Sequence, residues 1–376
     1  MKFLREGSTV KKTAIKDIDH IIYRFGRTYQ DTKTEILYFN WTCSGLELTF
    51  RGNCLIASLH AQPGIEVERD VVSGNMEERA IWPWVSVFLD DEEVPCRRFE
   101  ISKPEDTQLI FQSEKEEIHR IRIVKITENL KTGLGIDCFF MEGEILQQER
   151  RSDKRKIEFI GDSITCGFGN ETKEKDRLFY SDEENGWLSH AAIAARKLEM
   201  DWSMICVSGI CLGKRKIIPL PYAMNELYPY TDRILEDRLG RKTYQAWDFA
   251  SHAVDYIVLN LGTNDATGII GDADSEQEEK KFHKEYYEFL KMLRQCNGAD
   301  TRIICALGSM DYYLYHEITE IVTEYRNNTG DCKVTYFRYP KIDFMDPLGA
   351  CAHPYVITHE KMAEALIQYI EGLERT

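Results

Sequence analysis

Residues 159–170, FIGDSITCGFGN, begin as a buried β-strand and then break into a glycine-rich turn that contains Ser163. Three uses compete for such a turn: a helix start capped by Asp or Ser, a cradle for phosphate, and a sharp bend that presents a nucleophile. The segment lacks the lysine of a Walker A loop and the GxGxxG spacing of a dinucleotide site. It also lacks a GxSxG elbow, because Thr165 occupies the position of the last glycine. The phosphate cradle is therefore disfavoured, and the rest of the chain must separate the other two uses.

The chain that follows this strand alternates strands with amphipathic helices. Five short segments are apolar on both faces, as buried strands of a parallel sheet are: IEFIG (157–161), SMICVSG (203–209), DYIVLNLG (255–262), RIICALG (302–308) and KVTYFRY (333–339). Helical periodicity lies between them, for example in WLSHAAIAARKL and in THEKMAEALIQYI. This alternation predicts an open α/β sheet.

The first part of the chain has a different pattern. Short apolar runs, such as LELTFRG (46–52) and CLIASLHA (54–61), recur between about residues 36 and 146 and end at Gly, Asp, Asn or Pro. Such spacing predicts an antiparallel sandwich or barrel. The pattern changes after the charged run QQERRSDKRK (147–156). We therefore predict a β domain over residues 1–150 and an α/β domain over residues 151–376.

Composition restricts the partners and the compartment. A net charge of −15 argues against nucleic acid and anionic membranes, and no stretch approaches the ~20 apolar residues of a membrane span. The charged N-terminal sequence does not resemble a signal peptide, and the eleven cysteines form no CxxC pair, which favours reduced thiols in the cytoplasm. The nine histidines form no HExxH or HxH cluster, so we expect neither a metal nor another cofactor.

Polar features follow three of the predicted strands. Ser163, Gly209 and Asn264 each come just after a strand, where the carboxyl ends of a parallel sheet bind ligands. Acyl transfer needs a hydroxyl, a base and donors to the oxyanion; the N–H groups of Ser163 and Gly209 and the amide of Asn264 are candidate donors. His353, in the loop before the last helix, is the candidate base, whereas His359 falls inside the helical pattern and suits packing or surface. Each feature alone is an ordinary cap or loop residue, and only their joint occurrence indicates a site.

The motifs GDSIT, VSGICLG, GTND and a C-terminal HP resemble those of the SGNH (GDSL) hydrolase superfamily, whose four named residues correspond here to Ser163, Gly209, Asn264 and His353. Further stretches, including MNELYP and HPYVITHEKMAEAL, resemble carbohydrate esterase family 2. The resemblance implies a three-layer α/β/α catalytic domain with a parallel sheet, preceded by a β-sandwich (jelly-roll) domain. It also implies removal of acetyl groups from xylan and related sugars.

The sequence departs from the superfamily at the third member of the triad. Members commonly carry an aspartate two or three residues before the histidine, where this chain has Cys351 and Ala350. Asp346 is the nearest carboxylate and a possible third member. The alternative is a Ser–His dyad in which a backbone carbonyl orients His353, as the resemblance to this esterase family allows, and we expect the carbonyl.

The leading hypothesis is a serine esterase that deacetylates oligosaccharides. The alternatives are a lipase or thioesterase with the same chemistry, and a non-catalytic carbohydrate-binding protein. The long connection 213–247 carries aromatic residues that either form a sugar platform or pack the loop: Tyr222, Tyr228, Tyr230 and Trp247. The first domain shapes the cleft or forms subunit contacts in this hypothesis, which leaves a homo-oligomer open.

Overall fold

The computed structural model describes residues 10–69, 76–147, 154–176 and 179–375. The chain divides into two compact units, Met1–Ser152 and Asp153–Thr376. The boundary predicted between residues 150 and 151 lies outside the described residues. A search of the described helices finds none with the length and apolar character needed to cross a membrane.

The first unit consists almost entirely of antiparallel strands. Its elements are β1 (Lys11–Ala14), α1 (Ile15–Ile18), β2 (Tyr23–Phe25), β3 (Tyr29–Gln30), β4 (Leu37–Tyr38), β5 (Gly45–Gln62), β6 (Gly64–Arg69), β7 (Met76–Ile81), β8 (Trp84–Leu89), β9 (Arg97–Glu100), β10 (Glu105–Lys125) and β11 (Gly133–Leu146). The main sheet has the order β3-β4-β11-β5-β10-β8-β9, β1 pairs with β11, β2 pairs with β5, and β6 with β7 forms a separate hairpin. The predicted antiparallel β domain is confirmed.

The division of this domain into short strands is wrong for its longest members. The runs 46–52 and 54–61 are one strand, β5, whose pairing with both neighbours shifts register between Gly52 and Cys54. The core residues of β5 change from even positions, such as Leu48, to odd positions, such as Leu59, across this β-bulge. A glycine that the sequence pattern treats as a strand end is therefore a bulge, which bends a strand without ending it.

The second unit contains the predicted parallel sheet. Its five strands are β12 (Lys156–Gly161), β13 (Asp201–Cys206), β14 (Tyr256–Asn260), β15 (Arg302–Leu307) and β16 (Val334–Arg338). They pair in parallel in the order β13-β12-β14-β15-β16. All five strands expected from the sequence are present, so the carboxyl ends of the strands lie at one edge of the sheet.

Helices cover both faces of this sheet. They are α2 (Ser163–Cys166), α3 (His190–Lys197), α4 (Met224–Leu227), α5 (Arg233–Arg238), α6 (Thr263–Ile270), α7 (Ser275–Asn297), α8 (Tyr315–Thr329) and α9 (Val356–Glu374). Phe159 and Ile304 share a register position through β14, and the ring of Phe159 contacts His190 of α3. The next position, Cys305, faces the other way and contacts Tyr286 of α7. The unit therefore has the three layers that the sequence predicts.

Candidate active site

The serine turn is a short helix start at the carboxyl end of β12. Asp162 caps α2, because its Oδ1 accepts the N–H of Ile164 at 3.0 Å. A side chain at Gly161 would lie 2.1 Å from the hydroxyl of Thr165, so only glycine allows the chain to turn this tightly. Ser163 is the first residue of α2. The cap and the nucleophile are thus separate residues: Asp162 satisfies the helix, and the hydroxyl of Ser163 stays available.

The hydroxyl of Ser163 meets the ring of His353. The distance from Ser163 Oγ to His353 Nε2 is 2.9 Å, although 190 positions separate the residues in the chain. On the other side of the ring, Nδ1 lies 3.1 Å from the carbonyl oxygen of Ala350 and 3.2 Å from that of Cys351. Carbonyls only accept hydrogen bonds, so Nδ1 carries the proton and Nε2 is the acceptor for the serine hydroxyl. Burial lowers the pKa of His353, which keeps the ring neutral at pH 7 and leaves Nε2 unprotonated to accept a proton.

Main-chain contacts join the histidine loop to the segment after the serine helix. The N–H of Ala350 donates to Gly169 O at 3.0 Å, and that of Val356 donates to Asn170 O at 3.1 Å. Gly169 has φ +55, and a side chain there would meet Ala350 at 2.4 Å, so the close approach requires glycine. The base is therefore held beside the nucleophile by the backbone of both loops.

Asp346 does not orient His353 in the structure. Its carboxylate accepts from Lys361 Nζ at 2.7 and 2.8 Å and from the hydroxyl of Thr358 at 3.5 Å. The N–H of Asp346 closes a turn onto Asp343 O, and the carboxylate points to α9. The possible third triad member is thus paired with Lys361, and the geometry is that of a Ser–His dyad held by carbonyls.

The candidate oxyanion donors differ in how they are bonded. The backbone N–H groups of Ser163 and Gly209 have no acceptor in the part of the chain that the structure describes. Gly209 has φ +77, a conformation that disfavours any residue with a side chain. Asn264 Nδ2 donates to Ile210 O at 3.1 Å and lies 3.4 Å from Asp162 Oδ2. The amide of Asn264 therefore lies between the serine turn and the Gly209 loop, with its hydrogens already directed at protein oxygens.

A buried charge cluster lies behind the Gly209 loop, and the sequence analysis missed it. Asp265 accepts the N–H of Leu212 at 2.9 Å and Arg215 Nε at 2.9 Å. Arg215 also pairs with Glu278 and Glu285, and its side chain is fully buried. The acidic residue after the asparagine in GTND was the available signal. We name Asp265, Arg215, Glu278 and Glu285 the arginine cluster; through Leu212 it fixes the loop that presents Gly209.

Burial also shifts the pKa of groups around the site. It raises the pKa of Asp162 to about 7, and the nearby Asp265 carboxylate adds to that shift. His359 is buried in α9, and burial lowers its pKa to about 3. The N–H of His190 donates to His359 Nδ1 at 3.2 Å, and the two rings stack 5.7 Å apart. His359 therefore belongs to the packing of α3 against α9, one of the two roles expected for it.

The aromatic residues of the long connection do not form one exposed platform. Tyr228 is 0% exposed, packs on Phe249 and Phe289, and its hydroxyl accepts from Asn297 Nδ2 at 2.8 Å, so its predicted substrate contact is wrong. The other three are half-buried and contact their neighbours in the chain: Tyr222 donates to Asp237 at 3.0 Å, Tyr230 packs on Tyr244, and Trp247 packs on His252. For Tyr222 and Trp247 a substrate contact remains a prediction.

A serine hydroxyl bonded to a neutral histidine at the carboxyl edge of a parallel sheet, with unbonded amide donors beside it, defines a serine hydrolase site. The model of the family described as GDSL-like Lipase/Acylhydrolase matches residues 157–366, and the chain belongs to that family. The match begins at β12 and ends within α9, so it covers every residue of the dyad and the donor set.

Similar proteins carry the names of esterases. The chain is 31% identical over 342 residues to the cellulase/esterase CelE of Acetivibrio thermocellus, a match that covers 88% of this chain and 37% of that protein. The chain thus spans well under half the length of that relative. It is 23% identical to an acetylxylan esterase / glucomannan deacetylase of Cellvibrio japonicus, over 72% of this chain and 74% of that protein.

Solved structures of esterases have the same fold as this chain. A family two carbohydrate esterase from Clostridium thermocellum, in complex with cellohexaose, matches with a TM-score of 0.79 and 28% identity, over 93% of this chain and 98% of that one. The acetyl xylan esterase Est2A of Butyrivibrio proteoclasticus matches with a TM-score of 0.81 at 24% identity, over 97% and 98% of the two chains. The expected resemblance to the SGNH superfamily and to carbohydrate esterase family 2 is confirmed.

Proposed function

We propose that the protein is a carbohydrate O-acetyl esterase that removes acetyl groups from xylo-oligosaccharides or related sugars through a serine acyl-enzyme. One observation carries the chemistry: Ser163 Oγ lies 2.9 Å from His353 Nε2, while the opposite ring nitrogen faces two carbonyl oxygens. This arrangement fixes the tautomer in which Nε2 accepts a proton. It is the geometry that an activated serine nucleophile requires.

In the acylation step, Ser163 Oγ attacks the acetyl carbonyl carbon as its proton moves to His353 Nε2. Negative charge develops on the carbonyl oxygen, and the unbonded N–H groups of Ser163 and Gly209 are placed to receive it. The carbonyls of Ala350 and Cys351 stabilise the imidazolium through the Nδ1 proton. His353 then protonates the sugar oxygen, the ester bond breaks, and the sugar leaves with a free hydroxyl.

In the deacylation step, water takes the place of the sugar. His353 Nε2 accepts a proton from the water as its oxygen attacks the acetyl-serine carbonyl. The same N–H groups stabilise the second oxyanion, and the proton returns to Ser163 Oγ as acetate leaves. This sequence uses only residues of this chain and needs no cofactor.

The identity of the substrate rests on the relatives. They include an acetylxylan esterase / glucomannan deacetylase, and a structural neighbour binds cellohexaose. An acetylated oligosaccharide is therefore the proposed partner, and the first unit is proposed as the jelly-roll domain that accompanies such esterases. The eleven cysteines all lie within the described residues and form no disulfide bond there, which supports the proposal of a reducing compartment, the cytoplasm.

Acetate release from acetylated xylo-, gluco- and manno-oligosaccharides tests this function. We expect turnover of at least one of these substrates, and faster turnover of p-nitrophenyl acetate than of p-nitrophenyl octanoate. A preference for the octanoate would favour the lipase or thioesterase alternative. Binding of oligosaccharides without release of acetate from any substrate would favour the non-catalytic alternative.

A further inference from the structure

Two cations converge on one tyrosine ring at the carboxyl end of β16. The guanidinium carbon of Arg338, the last residue of β16, lies 4.6 Å from the ring centroid of Tyr312 and 5.6 Å from that of Tyr315. Lys341 Nζ lies 5.8 Å from the same Tyr312 centroid. Both cationic side chains are exposed. Stacking on aromatic faces restrains a guanidinium and leaves its N–H edge free for an anion. We call these four residues the Tyr312 cation site.

The charge of this site is not balanced by the protein. Neither Arg338 nor Lys341 forms an ion pair within the described residues. The nearest acidic residues in the chain have other contacts: Asp311 accepts the backbone N–H of Tyr313 at 2.9 Å, and Asp343 accepts that of Met345 at 2.9 Å and lies 3.7 Å from Lys361 Nζ. Two like charges near one ring repel each other, and a bound anion would relieve the repulsion. The buried Arg215 is the opposite case, with three carboxylates around one guanidinium. The Tyr312 cation site therefore has the electrostatics of an anion site.

The position of the site relates it to the proposed substrate. Arg338 pairs in register with Leu307, the last residue of β15, so it lies at the same edge of the sheet as the serine turn. Three strand spacings separate β12 from β16, or roughly 14 Å at about 4.8 Å each. The connection from β16 leads directly to His353. An oligosaccharide of a few units can span this distance along the edge.

The same connection presents an aromatic side chain. Phe344 is 97% exposed, and it lies in a turn held by the bond from the Met345 N–H to Asp343 Oδ1 at 2.9 Å. Lys361 fixes the base of that turn through Asp346. An exposed aromatic side chain three residues after an exposed cation suits a ligand that has both a ring to stack and a carboxylate. An acidic sugar has both.

We propose that Arg338 and Lys341 bind the carboxylate of a uronic acid unit on the acetylated oligosaccharide, so that acidic oligosaccharides are the preferred substrates. This inference rests on the proposed function, since it concerns the substrate class of the same site. Arg338 offers a planar pair of donors to the two carboxylate oxygens, and Lys341 adds a point charge. The site therefore acts on substrate selection and takes no part in the chemical step.

The test uses two matched substrates. One is an acetylated xylo-oligosaccharide with a single uronic acid side group, and the other is the same molecule with that carboxylate reduced to an alcohol. We measure the ratio of their kcat/KM values. We expect a ratio of about ten for the wild type, a two- to fivefold loss for Arg338→Gln or Lys341→Gln alone, and a ratio near one for the double variant. The wild-type ratio of kcat/KM values should also fall in about 0.5 M salt, because salt at that concentration screens charges beyond a few ångströms.

The controls separate this site from the catalytic machinery. Arg302→Gln removes the same charge at the amino end of β15, the opposite edge of the sheet, and should keep the wild-type ratio. All variants should hydrolyse p-nitrophenyl acetate at the wild-type rate. A wild-type ratio below two, or a double variant that keeps the wild-type ratio, would overturn the proposal.

Failure of the proposed function gives a different result. In that case neither oligosaccharide would be deacetylated, although p-nitrophenyl acetate is hydrolysed. Calorimetric binding of the acidic oligosaccharide to the Ser163→Ala protein then tests the cation site alone. Weaker binding after Arg338→Gln and Lys341→Gln are added would support the site, and equal binding would overturn it.

Discussion

Two polar regions of the catalytic unit meet at the Gly209 loop, which Asp265 holds through the N–H of Leu212, and they differ in how they are bonded. In the arginine cluster, Arg215 and Asp265 are fully buried and have ionic partners. At the sheet edge, the N–H groups of Ser163 and Gly209 have no acceptor among the described residues. Buried polar groups are normally bonded, so unbonded donors beside a nucleophile indicate a site prepared for a charge that arises only during the reaction. The arginine cluster holds the Gly209 loop in place, and the sheet edge carries the groups that react with the substrate.

The largest effect should come from removal of the nucleophile. Ser163→Ala deletes the hydroxyl that forms the acyl-enzyme in the proposed mechanism, and we expect a loss of at least about 10⁴ in kcat with unchanged thermal stability. The measurement is p-nitrophenyl acetate hydrolysis alongside a thermal melt. A clean Ser163→Ala preparation with full activity would show that the edge is not the reaction centre.

In the arginine cluster the expected loss is one of stability. Arg215→Met leaves three carboxylates, Asp265, Glu278 and Glu285, without their buried cation. Breaking such a buried pair costs about 3–5 kcal/mol, which denaturant unfolding measures. Arg326→Met, at an exposed position on α8, is the matched control and should cost less than about 0.5 kcal/mol. An Arg215→Met protein as stable as the control would contradict the structural role.

Asn264 lies between the two regions, because it precedes Asp265 in the chain and its amide bonds to Ile210 O in the Gly209 loop, and its replacement sharpens the comparison. Asn264 Nδ2 makes one good bond, to Ile210 O, and only a long 3.4 Å contact with Asp162 Oδ2, so its second hydrogen can turn to the oxyanion. Asn264→Ala should then keep the fold but lower kcat by about 10² to 10³, the usual loss for one oxyanion donor. Thr267→Ala, on the exposed side of the same helix, is the control and should retain full activity. A loss below about threefold would assign Asn264 to the support of the Gly209 loop alone, through its bond to Ile210.

The buried His359 predicts a pH dependence of stability. Its folded pKa is about 3, below the ordinary 6.5, so the unfolded chain binds more protons below pH 6.5 and folding loses stability as the pH falls. The loss is about 1.4 kcal/mol per pH unit for this one group well below pH 6.5. The raised pKa of Asp162 acts in the opposite direction between its unfolded value and about 7.

The test is therefore the difference in free energy of unfolding between the wild type and His359→Gln. That difference should change by about 2 kcal/mol from pH 6.5 to 4.5. If the free energies of unfolding of the two proteins, plotted against pH, stay parallel over this range, His359 titrates normally in the folded protein.

The smallest effect is expected for Asp346. Because its carboxylate pairs with Lys361 and not with His353, Asp346→Asn should keep activity within tenfold of the wild type. His353→Ala, measured beside it, should lose nearly all activity. A drop of 10³ or more for Asp346→Asn, with an unchanged melting temperature, would mean that a carboxylate orients the ring during turnover.

The sequence predicts the parallel sheet well because its strands are apolar on both faces, a local property that each segment carries by itself. It also brings Ser163, Gly209, Asn264 and His353 to one edge, since topology alone places strand ends together. It does not predict the bulge at Gly52, because a glycine that bends a strand and one that ends it have the same local pattern.

Tertiary contacts explain the other differences. Tyr228 has the composition of a binding residue, and only the packing of Phe249 and Phe289 around it shows that it is core. The arginine cluster joins side chains from separate segments, and no spacing rule connects Arg215 with Asp265. The carbonyls that orient His353 belong to the backbone, which every residue has, so no motif marks them.

The backbone support of His353 affects which substitutions this loop tolerates. Ala350 and Cys351 contribute carbonyl oxygens, and Ala350 also docks its N–H on Gly169. Substitutions at these positions leave such atoms in place as long as the backbone keeps its path. In a triad, one substitution of the aspartate removes the group that orients the histidine. In this dyad the orienting groups are backbone carbonyls, which a side-chain substitution does not remove. A change of the exposed Cys351 side chain therefore alters the surface next to the reaction centre and leaves in place the carbonyl that holds the ring.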